Sequence, residues 1–224
     1  TVQGALSGAE RIFAVLSLPA EEREGSSSSM LRPAPPAGIV CEDVVFGYAP
    51  GAPVLRGVSF RVKPGEHVAL VGRTGAGKTS IVHLLAGLYP VWTGSLRIDG
   101  RDPRSLADEE RRSALGIVPQ ISQLFSGTVL ENLTLKEPSV REVDVVEAAR
   151  ISGADTFIRA LPDGYRTVLR GTGRGQGVQL SAGQEQLLGV TRALVGRPRV
   201  LLLDEATSAV DGASDAALRE ALRR

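Results

Sequence analysis

Gly72-Arg73-Thr74-Gly75-Ala76-Gly77-Lys78-Thr79-Ser80, preceded by the apolar run Val68-Ala69-Leu70-Val71, decides the reading of this chain. The pattern G-x-x-x-x-G-K-[ST] after an apolar run reads as a phosphate-binding loop between a buried strand and a helix. Glycines let the backbone curl until successive N–H groups converge on phosphate oxygens, and the helix start adds its positive end. Lys78 then reaches the β- and γ-phosphates and Thr79 a magnesium ion. The plain alternative is a glycine-rich turn beside a lysine. With 26 glycines in 224 residues, chance yields the pattern on the order of 0.005 times per chain.

The bulk properties frame that reading. At 224 residues and 42% apolar, the chain can fill the core of one α/β domain with appendages. Its 26 basic and 25 acidic residues nearly cancel, which argues against a general nucleic-acid surface. Cys41 is the single cysteine, so no internal disulfide and no cysteine metal site can form; it reads as a small buried residue on a strand. His67 and His83 are the only histidines, too few for a multi-histidine centre. No stretch reaches the ~18 apolar residues of a membrane-spanning helix. Thr1 in place of a methionine suggests a piece of something longer.

Working outward, residues 2–18 carry Leu6, Ala9, Ile12, Phe13 and Leu16 at helical spacing, ended by Pro19. A polar Ser- and Pro-rich linker follows, with a boundary near residue 37. Ile39–Tyr48 and Val54–Lys63 read as strands joined by a turn at Ala49–Pro53, and Ser95–Ile98 as a strand closed by Asp99-Gly100. The loop helix is expected over about 78–88, and further strands at Leu115–Val118 and Val200–Leu203. The last, a run of large aliphatics, is expected to be covered on both faces. Residues 139–161 switch to helical spacing, with Ser139 and Glu142 as a capping box and Val143, Val146 and Ala149 on one face; Gly153 ends that helix and Asp155–Leu161 forms another. Gly171–Gly177 is a glycine-rich loop, and a final helix starts near Gly212.

Asp204 and Glu205 follow the aliphatic strand directly. From that position one carboxylate can hold magnesium, while its neighbour, aimed elsewhere, polarises the attacking water. Leu180-Ser181-Ala182-Gly183-Gln184 is a helix N-terminus with Ser181 and Gln184 in capping-box spacing, and so also an anion site.

With these motifs in order, residues from about 38 to the end resemble the nucleotide-binding domain of ATP-binding cassette (ABC) transporters. The resemblance implies a P-loop NTPase core with an antiparallel β subdomain and an inserted α-helical subdomain at about 122–190. It implies that Tyr48 stacks on adenine, that Gly72–Ser80 is the Walker A loop and Gln120 the Q-loop glutamine. Leu180–Gln184 is similar to the signature motif, which completes a partner's site; Ser208 and Asp211 look like the D-loop. ATP with Mg2+ is the implied cofactor, with Lys78, Thr79, Gln120 and Asp204 arranging it, the last three toward the metal, and Glu205 as the catalytic carboxylate.

Leu124-Phe125-Ser126-Gly127-Thr128 with Glu131-Asn132, and Ala9-Glu10-Arg11-Ile12-Phe13 with Pro19-Ala20-Glu21, resemble exporters whose membrane and ATPase domains are fused. Residues 1–24 would then be the cytoplasmic end of the last membrane helix, 25–37 a linker and 38–224 the ATPase domain, with a transmembrane domain upstream of Thr1. The implied setting is the cytoplasmic face of the cell membrane, and the implied partner a second such domain. Three departures stand out. Ala182 replaces a usual glycine, the loop before the signature lacks acidic residues, and the chain ends before the family's switch histidine. The first two suggest a heterodimer with unequal sites, the third a weakly active fragment. A soluble DNA-repair-type ATPase and a non-hydrolysing regulatory cassette are the other readings. Asn132-Leu133-Thr134 matches a glycosylation sequon and is read as coincidence, and Tyr89 and Trp92 as packing.

Overall fold

The computed structural model describes residues 38–171 and 176–204. The expected N-terminal helix, the linker, most of the glycine-rich loop, Glu205, the D-loop and the final helix lie outside these residues.

The described residues open with an antiparallel sheet ordered β2-β1-β3, formed by β1 (Ile39–Phe46), β2 (Leu55–Val62) and β3 (Thr93–Ile98). Ile39 and Cys41 face inward, and Cys41 pairs across with Phe60 and Leu96. Alternation alone would then turn Val44 and Phe46 outward. A bulge at Asp43, with φ 46°, resets the phase, so Val44 and Phe46 are buried as well. The Ser59 hydroxyl holds the bulge, accepting from the Asp43 N–H at 2.8 Å. Asp99 and Gly100, with φ 50° and 81°, close β3 in the tight turn their sequence suggested.

Helix α1 (Lys78–Leu85) buries Ile81, Leu84 and Leu85 in the same core. Beyond it, α2 (Asp108–Ala114) leads into β4 (Leu115–Val118), which pairs in parallel with β7 (Val200–Leu203). A parallel pair needs a long crossover. Here that crossover is a helical lobe: the short pair β5 (Gly127–Thr128) and β6 (Val168–Leu169), with α3 (Val129–Thr134), α4 (Glu142–Ser152), α5 (Asp155–Ala160) and α6 (Ala182–Val195) around a second core.

Four expectations change. Val68–Val71 forms no strand, and Val68, Leu70 and Val71 are exposed. A parallel strand takes hydrogen bonds and cover from its neighbours, and among the described residues β4 and β7 pair only with each other. For the same reason only Leu202 of β7 is fully buried, not the whole strand. In the helical lobe, Ser139 does not cap α4. Arg141 is its N-cap and the Ser139 hydroxyl donates to Glu137 instead. The buried face of α4 is Val145, Ala148, Ala149 and Ser152, while Val143 is exposed. Valines at 143, 145 and 146 let two helical phases fit the sequence, and packing on α6 selects one. Gly153, at φ 82°, ends α4 as expected.

Asn132 is 1% exposed and works as a staple rather than a sugar acceptor. Its Oδ1 accepts from the Phe125 N–H at 2.8 Å, and its Nδ2 donates to the Phe125 and Thr128 carbonyls at 2.9 and 3.0 Å. Arg192 of α6 reaches the same place, donating to the Asn132 carbonyl at 2.9 Å and to the Gln123 carbonyl at 3.2 Å. Burial lowers the Arg192 pKa from its ordinary value, yet a guanidinium keeps its charge.

Two outcomes follow from this packing. Asn132→Ala leaves buried backbone groups unpaired and lowers unfolding stability by about 3 kcal/mol, whereas Thr134→Ala, which also destroys the sequon, changes it by under about 0.5 kcal/mol; urea unfolding measures both. Burial pushes the Cys41 thiol up to about 11. The native protein should therefore resist alkylation of Cys41 at neutral pH, and react only once unfolded, as read by mass spectrometry.

Candidate nucleotide site

The loop is exposed from Gly72 to Ala76 and enters α1 through the buried Gly77. Gly77 is the N-cap at φ 92°, and a Cβ there would approach Leu55 Cδ2 to 2.6 Å, so both the backbone and the packing call for glycine. The Ala76 N–H turns back to the Arg73 carbonyl at 3.1 Å, which tightens the curl. Lys78 folds over the loop, donating through Nζ to the carbonyls of Gly72 and Arg73 at 3.0 and 3.1 Å. Thr74 and Gly75 form the exposed crown of the loop. Such a loop presents N–H groups and an ammonium on one side, suited to a polyanion.

The strands deliver the remaining groups to the same end. Leu203 pairs with Val118, and the Asp204 N–H continues the ladder to the Val118 carbonyl at 3.0 Å. Asp204 and Gln120 therefore leave β7 and β4 at their common C-terminal edge, where parallel sheets place ligands. Thr79 Oγ1 donates to Asp204 Oδ1 at 3.2 Å, joining the loop helix to that edge. A hard divalent cation holds cis oxygens about 3 Å apart, so these two oxygens, 3.2 Å apart, fit a magnesium ligand pair.

Tyr48 lies just beyond β1 with its ring about half exposed. It packs edge-to-face on Phe46 and Tyr89, with centroids 5.0 and 5.3 Å away, and its hydroxyl donates to Ser80 Oγ at 3.1 Å. Tyr89 and Trp92 belong to this aromatic cluster, as expected. His83, which the sequence offered only as one of two histidines, stands 3.0 Å from the Tyr48 hydroxyl through Nδ1. No local signal pairs residues 48 and 83; only the return of α1 past the end of β1 does.

Ser181 caps α6 in the expected box. Its hydroxyl accepts from the Gln184 N–H at 3.3 Å, and Gln184 Oε1 accepts from the Ser181 N–H at 3.0 Å. Ser181 and Ala182 are exposed, while Leu180 and Gly183 are buried and fix the helix end against the lobe. Glu205, Ser208 and Asp211 lie outside the described residues, so this geometry covers Asp204 but not Glu205. No described helix is long and apolar enough to cross a membrane.

Comparison with known proteins gives the arrangement a family. A model of the ABC transporter family matches residues 55–208. The chain is 39% identical over 222 residues, 99% of its length and 34% of the relative's, to a fatty acid ABC transporter ATP-binding/permease protein of Mycobacterium bovis. It is 38% identical over 221 residues to an ATP-dependent lipid A-core flippase of Saccharophagus degradans, covering 99% of this chain and 36% of that one. A solved bacterial Atm1-family ABC exporter with ATP bound superimposes with a TM-score of 0.80 at 35% identity, over 99% of this chain and 38% of that one. The chain thus spans about a third of the length of the curated relatives it matches. It belongs to the ABC transporter family, as the P-loop ATPase part that uses ATP with Mg2+.

Proposed function

We propose that this chain is the ATP-hydrolysing unit of an exporter, closing on a second such domain around ATP and driving an attached transmembrane domain at the cytoplasmic face of a membrane. The contact between Thr79 and Asp204 is the observation that carries the reading, because it sets a cation-binding oxygen pair beside the phosphate loop. In this scheme Lys78 and the loop N–H groups of Gly72 to Ser80 hold the phosphates. Thr79, Gln120 and Asp204 face Mg2+, Tyr48 lies against the base, and Glu205 positions the water. Bound Mg2+ offsets phosphate charge as it builds.

Leu180–Gln184 has a different task in this reading. Ser181 and Ala182, at the start of α6, are exposed, a helix end suited to a γ-phosphate held by the partner domain. ATP that binds both surfaces stabilises the closed pair by its differential affinity, and hydrolysis removes that gain. The relatives named as permeases and flippases support coupling to a membrane domain.

Lys78→Ala should weaken ATP binding about ten- to hundredfold through loss of a charged donor, as measured by titration with fluorescent ATP. Glu205→Gln should keep binding but cut hydrolysis roughly 10²- to 10⁴-fold. Full hydrolysis by the Glu205→Gln protein would contradict the assigned role.

A further inference from the structure

We infer that His83 and Ser80 are positioning residues for the nucleotide base, holding the Tyr48 ring in place through its hydroxyl. The inference rests on the reading of Tyr48 as the surface against which the base lies.

Tyr48 sits past the last ladder residue of β1, so no strand pairing fixes it. Its ring is about half exposed, which leaves a face open to a ligand but also leaves the side chain free to swing. Phe46 and Tyr89 brace it by their edges. Edge contacts resist tilting but do not fix how far the ring reaches along its own axis. The hydroxyl does that, standing 3.1 Å from Ser80 Oγ and 3.0 Å from His83 Nδ1.

Both anchors come from α1, the helix that the phosphate loop feeds directly. Ser80 is buried and follows Lys78 and Thr79; His83 is one turn further along the same face. Base platform and phosphate cradle are thereby tied to one rigid element, which fixes the span between them. The chain of hydrogen bonds closes in two ways: His83 Nδ1–H to the Tyr48 oxygen and Tyr48 O–H to Ser80, or Ser80 O–H to Tyr48 and Tyr48 O–H to a bare Nδ1. Either satisfies all three groups, so neutral and charged imidazole both serve. Ring contacts of His83 with Tyr48 and Tyr89, at 6.3 and 6.1 Å, complete the cluster.

The test compares Mg-ATP with inorganic tripolyphosphate, which has phosphates but no base, by competition titration on the intact protein. Tyr48→Phe keeps the ring and loses the anchor; His83→Ala loses it from the other side. Each should weaken Mg-ATP about three- to tenfold, the worth of one hydrogen bond, and leave tripolyphosphate unchanged. The double variant should lose no more than Tyr48→Phe alone. His83→Asn, whose amide occupies the place of Nδ1, should restore binding. Equal losses for both ligands would show a merely structural role and overturn the inference. So would a normal Mg-ATP affinity in His83→Ala while Tyr48→Ala is weak, with the base-platform reading intact. Unchanged Mg-ATP binding in Tyr48→Ala would instead sink that reading itself. Should His83→Ala fail to fold, Tyr48→Phe carries the same two-ligand comparison and decides the matter.

Discussion

The hydrogen bond from Thr79 to Asp204 joins residues 125 positions apart in the chain, and the rest of the architecture serves to make it. Thr79 is placed by the turn at Gly77, whose left-handed backbone starts α1 under the loop. Asp204 is placed by the parallel pairing of β7 with β4, which carries its N–H one step past the last ladder pair. Shift the register by one residue and the carboxylate turns to the other face of the sheet. The sheet register therefore determines whether loop and carboxylate can share a cation.

A parallel register between β4 and β7 requires the crossover to return the chain to a fixed point. The helical lobe performs that return around its own core. Asn132 and Arg192 matter here because they tie the bend after β4 to α3 and α6 through backbone carbonyls, which are fixed by the chain path rather than by rotamers. Arg192 also lies over the Phe125 ring at 5.9 Å. The helix that starts at Ser181 is thus held by the same residues that fix the exit from β4. This gives a physical link between the two surfaces proposed to meet nucleotide.

Much of this was legible because its signals are local. The loop glycines, the capping box of Ser181 and Gln184, the Asp99-Gly100 turn and the stop at Gly153 each depend on residues within a few positions. Signals that depend on distant partners read poorly. Val68–Val71 has the composition of a buried strand, but composition cannot supply a neighbour. The three valines of α4 fit two phases, and only the surface of α6 chooses between them. Asn132 carried a misleading local pattern over a nonlocal role. His83 carried no pattern at all, since its link to Tyr48 exists only once β1 and α1 are side by side.

In the proposed function, loop and strand edge jointly hold one magnesium ion with the nucleotide. Calorimetric titration of ATP with and without Mg2+, in the native protein and in Asp204→Asn, tests it most directly. Mg2+ should tighten ATP binding several-fold in the native protein and lose that effect in Asp204→Asn, with metal-free binding alike in both. An undiminished Mg2+ effect in Asp204→Asn would contradict it.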